Sequence, residues 1–447
     1  MKSSWGRGRK GELCICYFGT YSMEEGYPRN RVIIDGLKKN GVDVVECHED
    51  LWQGTSEKLE GIKDGLAVLK KSLHIIKAYL SLIKKFKNAG NYDALIVGYA
   101  GHIDIFLAKV LNLFRKKPLI FDAFLSLYDT VVMDRKIVSQ NSLKAKFLWL
   151  IDRWSCRVAD GVLLDTQAHV DYFVREFRLP AEKFYAIPVG SSLALQPLSP
   201  TSSNSPLSQR GDRGDLNVLY FGSYIPLHGV DVILKAAKII QDKGNGLPSV
   251  IPAQAGIQNA GRGLDSHSPL KACGDKLRGN DDVVGNCSDD KKIVFILIGT
   301  GQLLPAMKEL TSRLELKNII FIDRFVREEE LMGYIMEADI CLGVFGQTEK
   351  ASRVIPCKVY NCLAMGKPLV TMSSPAMGGI LTHTENAYLC NPGDPEALAD
   401  AVITLKNDKV LRENIGKSGK EFFERNFSTV VIGRRILDIV EGVICCR

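Results

Sequence analysis

Arg353 and Lys358 flank a proline in the stretch RVIPCKVYNCLAMGKPLVT, residues 353–371. Pro356 suits the first turn of a helix, Gly366 suits the position just past its last turn, and Pro368 to Thr371 reads as a buried strand. Free N–H groups and the positive end of a helix dipole attract anions, so two basic side chains there make the stretch a candidate phosphate site. A solvated helix end with incidental basic residues is the alternative. Asp122 in IFDAF and Asp165 in LLDT each end an apolar strand, a position that suits site residues of an open sheet or caps of the following helix. His102, in AGHID, stands at a strand-to-helix junction, where it either faces a cleft or is a capping or buried histidine. Gly19 permits a sharp turn after the first strand, close enough for phosphates to approach. Gly299 and Gly301, in IGTGQ, are turn glycines that usually serve the backbone alone.

The apolar pattern supplies a scaffold for these residues. Strand candidates ELCICYF, VDVVEC, YDALIVGYA, KPLIFDAF and GVLLD alternate with helical spacing in NRVIIDGLKKNG, near Ile103 to Leu113, and in LKAKFLWLIDRWSCRVA. A second series runs through NVLYFGS, VDVILKAAKIIQDKG, KIVFILIGTG, NIIFID, ADICLGVF and KPLVTM. Such alternation predicts parallel sheets covered by helices on both faces, with ligands where strand ends meet loops. The expected fold class is therefore α/β, with Rossmann-like domains at 1–190 and 217–427 and a Ser/Pro/Gly-rich linker at 191–216. The last segment, 428–447, has helical spacing and no following strand, so it is expected to pack back on the first domain. Residues 249–290 interrupt the second series where a few residues would suffice, and they lack a core-forming period. They read as a mobile, dispensable insertion, and VIPAQAGIQ and RGNDD within them resemble translated palindromic DNA repeats.

At 447 residues and 46% hydrophobic content, the chain can bury two sizeable cores. Its 12 cysteines show neither paired spacing nor accompanying histidine clusters, so no zinc site or disulfide framework is indicated and a reducing compartment is expected. No apolar run approaches the roughly 20 residues of a bilayer span, and the start lacks a long apolar signal core; both favour the cytoplasm. A net charge of +7 is compatible with an anionic partner such as a phosphate or a lipid surface, and nothing supports nucleic acid. The lysine-rich stretch 69–87 places Ile75, Tyr79, Leu82 and Phe86 at helical spacing. Either this helix lies on an anionic membrane or its apolar face packs on the domain core.

In order along the chain, GTYSMEEGYPRNRVIIDGL, GYAGHIDIFLAK, FDAFLSLYDT, GSYIPLHGVDVILKAA, IGTGQ and the 353–371 stretch continued into HTENAYLCNPGDPEALADAV resemble glycosyltransferase family 4. The resemblance covers nearly the whole chain outside the linker and the insertion. It implies the GT-B fold, with a cleft between its two domains, and transfer of a sugar, of hexosyltransferase type, from a nucleotide-sugar donor with retained anomeric configuration and no metal or other cofactor. The second domain would hold the donor through Gly222, His228, Gly229, Gly299 and Asn361, with Arg353 and Lys358 on the diphosphate, Glu349 on the donor sugar and Gly19 approaching from the first domain. The first domain would bring His102 near the reacting sugar as a catalytic residue and hold a glycan or lipid-linked acceptor near Asp122 and Asp165, in envelope polysaccharide or glycolipid synthesis on the inner face of a membrane.

This chain departs from the family pattern at two positions. His228 stands where a lysine is usual, so charge there depends on pH, and Asn361 replaces the second of two glutamates while Arg353 falls near the first. Those departures leave a catalytically silent nucleotide-sugar-binding subunit as an alternative; a nucleotide-sugar epimerase would need further acid–base carboxylates.

Overall fold

The computed structural model describes residues 13–51, 65–193, 214–244 and 292–446, with only the backbone of 65–73. The insertion at 249–290 and most of the linker lie outside the described residues. The first half runs β1 (Cys14–Gly19), α1 (Pro28–Lys39), β2 (Asp43–His48), α2 (Gly65–Asn88), β3 (Ala94–Val97), α3 (Asp104–Asn112), β4 (Leu119–Phe124), a π-helical turn (Asp129–Asp134), α4 (Leu143–Val158), β5 (Gly161–Leu164), α5 (Gln167–Phe177) and β6 (Phe184–Ala186). The second half runs β7 (Leu216–Phe221), a 3-10 turn (Pro226–His228), α6 (Val230–Gly244), β8 (Ile293–Ile298), α7 (Leu304–Arg313), β9 (Ile319–Ile322), α8 (Glu328–Glu337) and β10 (Ile340–Leu342). It continues through α9 (Glu349–Arg353), α10 (Cys357–Ala364), β11 (Leu369–Met372), β12 (Tyr388–Cys390), α11 (Pro395–Asn407), α12 (Lys409–Asn426) and α13 (Thr429–Cys445).

Each half builds one parallel six-stranded sheet, in the orders β2-β1-β3-β4-β5-β6 and β12-β11-β10-β7-β8-β9. The strands are near-continuous apolar runs because helices cover both faces. In each sheet the first strand has its sequence neighbour on one side and a later strand on the other. At that reversal the following helices leave on opposite faces and open a crevice beyond the strand ends. The crevices fall at Gly19 and residues 98–104 in the first half, and at Gly222 and residues 343–358 in the second.

Helix α13 belongs structurally with the first half, burying Ile432, Ile436, Leu437 and Val440 in the cluster formed by Val32, Ile33 and Leu37 of α1 and the adjacent strand face. The two helices meet at a pair of glycines. A Cβ on Gly433 would lie 2.1 Å from the Gly36 carbonyl carbon, and one on Gly36 would lie 2.5 Å from the Thr429 oxygen. Backbone cannot yield as a flexible side chain can, so Gly433→Val is expected to cost more than the roughly 1–3 kcal/mol of ordinary overpacking. On the same helix Gly442 faces open space, and Gly442→Ala should stabilise by about 0.5–1 kcal/mol. Thermal melts of the two variants check the contrast.

Helix α2 shows where the lysine-rich stretch puts its apolar side. Leu82 and Phe86 are buried in the first-half core with Tyr79 packed against them, as an ordinary surface helix requires.

Candidate active site

The second-half crevice is built around one amine. Lys358 sits in the first turn of α10 and is 4% exposed. Its Nζ lies 3.9 Å from the centroid of the Tyr220 ring and 3.5 Å from His228 Nδ1. Gly222, just past β7, has φ +135°, and a Cβ there would come within 2.9 Å of that Nζ, so glycine is what lets the amine reach the strand end. Among the described residues no carboxylate pairs with Lys358, and burial pushes its pKa well below the usual lysine range.

His228 closes the side of this pocket. Its Nδ1 is within hydrogen-bond reach of the Ser223 carbonyl and 2.9 Å from the Tyr220 hydroxyl. Burial, with the Lys358 charge beside it, holds the imidazole well below its usual pKa. The pH-dependent positive charge expected at His228 is therefore not supplied: near neutrality the ring is an uncharged hydrogen-bonding wall. Gly229 (φ +62°) brings this turn against the 345–346 backbone, where a Cβ would lie 2.5 Å from Gly346 N. Gly299 is packed against the Gly222 carbonyl, 2.0 Å from where its Cβ would be, so the backbone contact itself requires glycine there.

Arg353 does not stand with Lys358. It ends α9, the short helix before Pro356, and points to the first half, donating from Nη2 to Asp129 Oδ1 at 2.8 Å with its guanidinium 4.1 Å over the Tyr172 ring. Its carbonyl accepts from the Thr166 hydroxyl, and neighbouring Lys350 donates to Thr130. The expected pair of phosphate cations thus divides into one that faces the crevice and one that ties the halves together. The reason is helical phase: α9 ends at Arg353 and the extended 354–356 connection turns the chain before α10 begins. Glu349 is 83% exposed and touches Arg353 Nη1 at 3.3 Å. Asn361 accepts a 2.6 Å hydrogen bond from Ser191.

In the first half, His102 lines a cavity of about 290 Å³ with Thr20, Tyr21, Tyr27, Tyr79, Tyr99 and Asp104 among its other walls. His102 Nε2 is 3.0 Å from the Leu125 carbonyl, which makes it the donor nitrogen. Nδ1 is then a lone-pair acceptor, buried without a protein partner. Burial lowers this imidazole to about 4, so it is neutral near pH 7. Gly19 (φ +137°) lets the following turn close on Asp104, which accepts from the Thr20 amide at 2.6 Å.

Neither aspartate lines this cavity: Asp165 follows β5, and Asp122 lies within β4, which runs on through Ala123 and Phe124, instead of ending it. Asp122 is wholly buried and bound by Arg29 through Nε (2.8 Å) and Nη2 (2.7 Å). Asp165 holds His169 Nδ1 at 2.7 Å, and the helix after it is capped by Thr166 instead. Both expected acceptor-side contacts are therefore replaced by internal partners, which a buried carboxylate requires. Arg135 was not anticipated. It follows the π-helical turn of the first half, its Nε is buried without a partner, and its charge is close enough to depress His228 and Lys350. Nothing in the sequence marks it, because only the docking of the halves brings it near the second crevice.

Residues 270–408 match the family described as Glycosyl transferases group 1. Over 148 residues the chain is 23% identical to the amylovoran biosynthesis glycosyltransferase AmsK of Erwinia amylovora, covering 33% of this chain and 36% of that protein. Over 152 residues it is 25% identical to the lipopolysaccharide core biosynthesis glycosyltransferase LpsD of Rhizobium meliloti, covering 34% and 42%. These matches span less than half the length of either relative. Among solved structures, Anabaena Alr3699/HepE in complex with UDP-glucose superposes with TM-score 0.59 at 15% identity, over 96% of this chain and 100% of that one. Sucrose-phosphate synthase of Thermosynechococcus elongatus does so with TM-score 0.60 at 14% identity, over 98% and 100%.

The fold is GT-B. In a GT-B molecule the crevices of the two sheets face one another, which sets Lys358 and the His102 cavity on opposite sides of one cleft.

The bridge at Arg353 has a measurable consequence. Removing the guanidinium leaves Asp129, 1% exposed, without its ion-pair partner and with only the nearby charge of Lys350. Arg353→Ala is expected to destabilise by about 3–5 kcal/mol, and Arg353→Ala/Asp129→Ala should recover much of that loss. Urea unfolding of the three proteins reads the coupling; a double variant no better than the single would remove the pair from the account.

Proposed function

We propose that this chain is a retaining, metal-independent glycosyltransferase that moves a hexosyl unit from a nucleotide sugar to a glycan or lipid-linked acceptor in envelope polysaccharide or glycolipid synthesis, on the cytoplasmic side of the membrane. The observation that carries the reading is Lys358, a buried amine aimed at a glycine-lined strand end with no carboxylate partner among the described residues. A diphosphate would answer that charge, with the free N–H groups at the start of α10 as further donors. Negative charge grows on the leaving diphosphate as the glycosidic bond breaks, so the amine favours the transition state over the bound donor. Arg135 approaches the same place from the first half. His102 forms part of the wall of a cavity of about 290 Å³ whose aromatic side chains suit a sugar face. Similarity of residues 270–408 to group 1 glycosyl transferases supports this reading, as does the fold shared with a protein solved with UDP-glucose.

Lys358→Met separates function from stability. The variant keeps the stem and removes a charge that costs free energy to bury, so its melting temperature should equal or exceed that of the parent. Turnover of the nucleotide sugar should fall on the order of 100-fold. Near-normal turnover in folded Lys358→Met would take the amine out of the reaction. With chelator present the parent should lose no activity, and proton NMR of the product should show the donor's anomeric configuration; loss of activity on chelation or an inverted product would reject those parts of the proposal.

A further inference from the structure

Helix α4 packs Trp149 and Val158 against the first-half core and also turns a row of large apolar residues outward. It buries Ala145, Asp152, Ser155 and Cys156, while Leu143, Phe147, Leu150 and Trp154 are exposed, Leu143 at 83%. Their spacing of four, three and four residues makes one stripe along the helix. Helix α3 packs beside it and exposes Val110, then Leu113 and Phe114 just past its end, Phe114 at 95%.

On these two helices the unburied charge has one sign, with Glu176 against Trp149 and Asp93 near Lys117 at the edges. Across 103–117 and 143–158 the acids are Asp104 and Asp152, and both are buried. The bases are Lys109, Arg115, Lys116 and Lys117 on one helix end, with Lys144, Lys146, Arg153 and Arg157 along the other helix. None of the eight is buried. Apolar side chains of this size, contiguous on two adjoining helices, mark a surface that meets something other than water. A second copy of the same face is disfavoured, because a two-fold contact would set one cationic rim against another. Leu, Phe and Trp ringed by Lys and Arg match the boundary between acyl chains and anionic headgroups.

We propose that the α3–α4 face docks this protein on the surface of an anionic phospholipid bilayer. This is a different surface from α2, which packs Leu82 and Phe86 into the core and exposes Ile76 and Leu80. Ile103, at the head of α3, is itself exposed and lines the His102 cavity, so the cavity opens beside the docked surface. An acceptor carried on a lipid would then be presented to that cavity, a consequence that rests on the transferase reading; the docking does not.

The test is flotation of the full chain with phosphatidylcholine vesicles, with and without phosphatidylglycerol. The parent should float with the anionic vesicles, be released by salt, bind neutral vesicles weakly, and show a blue shift of tryptophan emission that Trp154→Phe diminishes. Phe114→Ser/Phe147→Ser and Lys144→Gln/Lys146→Gln should each weaken partitioning on the order of tenfold or more, with melting temperature and nucleotide binding unchanged. Lys84→Gln/Lys87→Gln, on α2, should leave it as it was. Equal flotation of the parent and Phe114→Ser/Phe147→Ser would overturn the proposal, as would a parent dimer that this variant dissociates with no vesicle binding by either protein. Salt-sensitive vesicle binding by a protein that transfers no sugar would uphold docking and reject the transferase reading.

Discussion

An amine buried without a carboxylate among the described residues is the constraint around which the second half is arranged. Taking its charged form out of water is costly, and here the surroundings offset little of that cost: an aromatic face from Tyr220, a neutral imidazole from His228, and no paired anion among the described residues. Every neighbour is nevertheless shaped to keep the amine there. Gly222 has no Cβ because one would collide with Nζ, Gly299 has none because one would strike the Gly222 carbonyl, and Gly229 draws the His228 turn against the 345–346 backbone. Such a set of close approaches makes sense if the missing charge is brought by a ligand.

The position of that amine relative to the first half depends on a second class of interaction. Among the described residues, the polar contacts that cross between the halves include two groups. Arg31 of α1 pairs with Glu328 at the start of α8, and Ser192 donates to the same carboxylate at 2.8 Å. On the other side Arg353 and Lys350 of α9 reach Asp129 and Thr130. Because α9 leads directly into α10, the Arg353 bridge also sets the distance between Lys358 and the first-half turn that carries Arg135. Ion pairs between halves can open and close at lower cost than a shared apolar core, so the bridges hold one closed arrangement of the cleft while leaving a route for ligands to enter.

The alternation of apolar runs was sufficient to read two parallel sheets and the helix that starts after Pro356, because strands covered on both faces and helices amphipathic on one face leave distinct periods in a sequence. Lys358 was legible for the same reason: its place in the first turn follows from the helix start alone. Arg353 was not, since five residues of separation say nothing about the turn between α9 and α10. Asp165 stands just past β5 as expected, whereas Asp122 is the fourth of six residues in β4 and does not end it; its partner Arg29 is set by tertiary packing, and the partner of Asp165 is His169, four residues on. Arg135 and the outward apolar stripe of α4 escaped notice for opposite reasons. One gains meaning only when the halves dock, and the other has the period of an ordinary amphipathic helix.

The charge state of Lys358 is read directly by calorimetry. A nucleoside diphosphate seated on Lys358 raises the depressed pKa of the amine, so binding takes up a proton at pH values between the free-state and the bound-state pKa, and affinity falls as pH rises across that window. Titrating UDP, GDP and ADP in buffers of different ionisation enthalpy gives the number of protons exchanged. The account predicts net uptake for the nucleotide that binds, with the uptake abolished in Lys358→Met while any change at His228 persists. Binding of equal strength and equal proton exchange in parent and variant would contradict it.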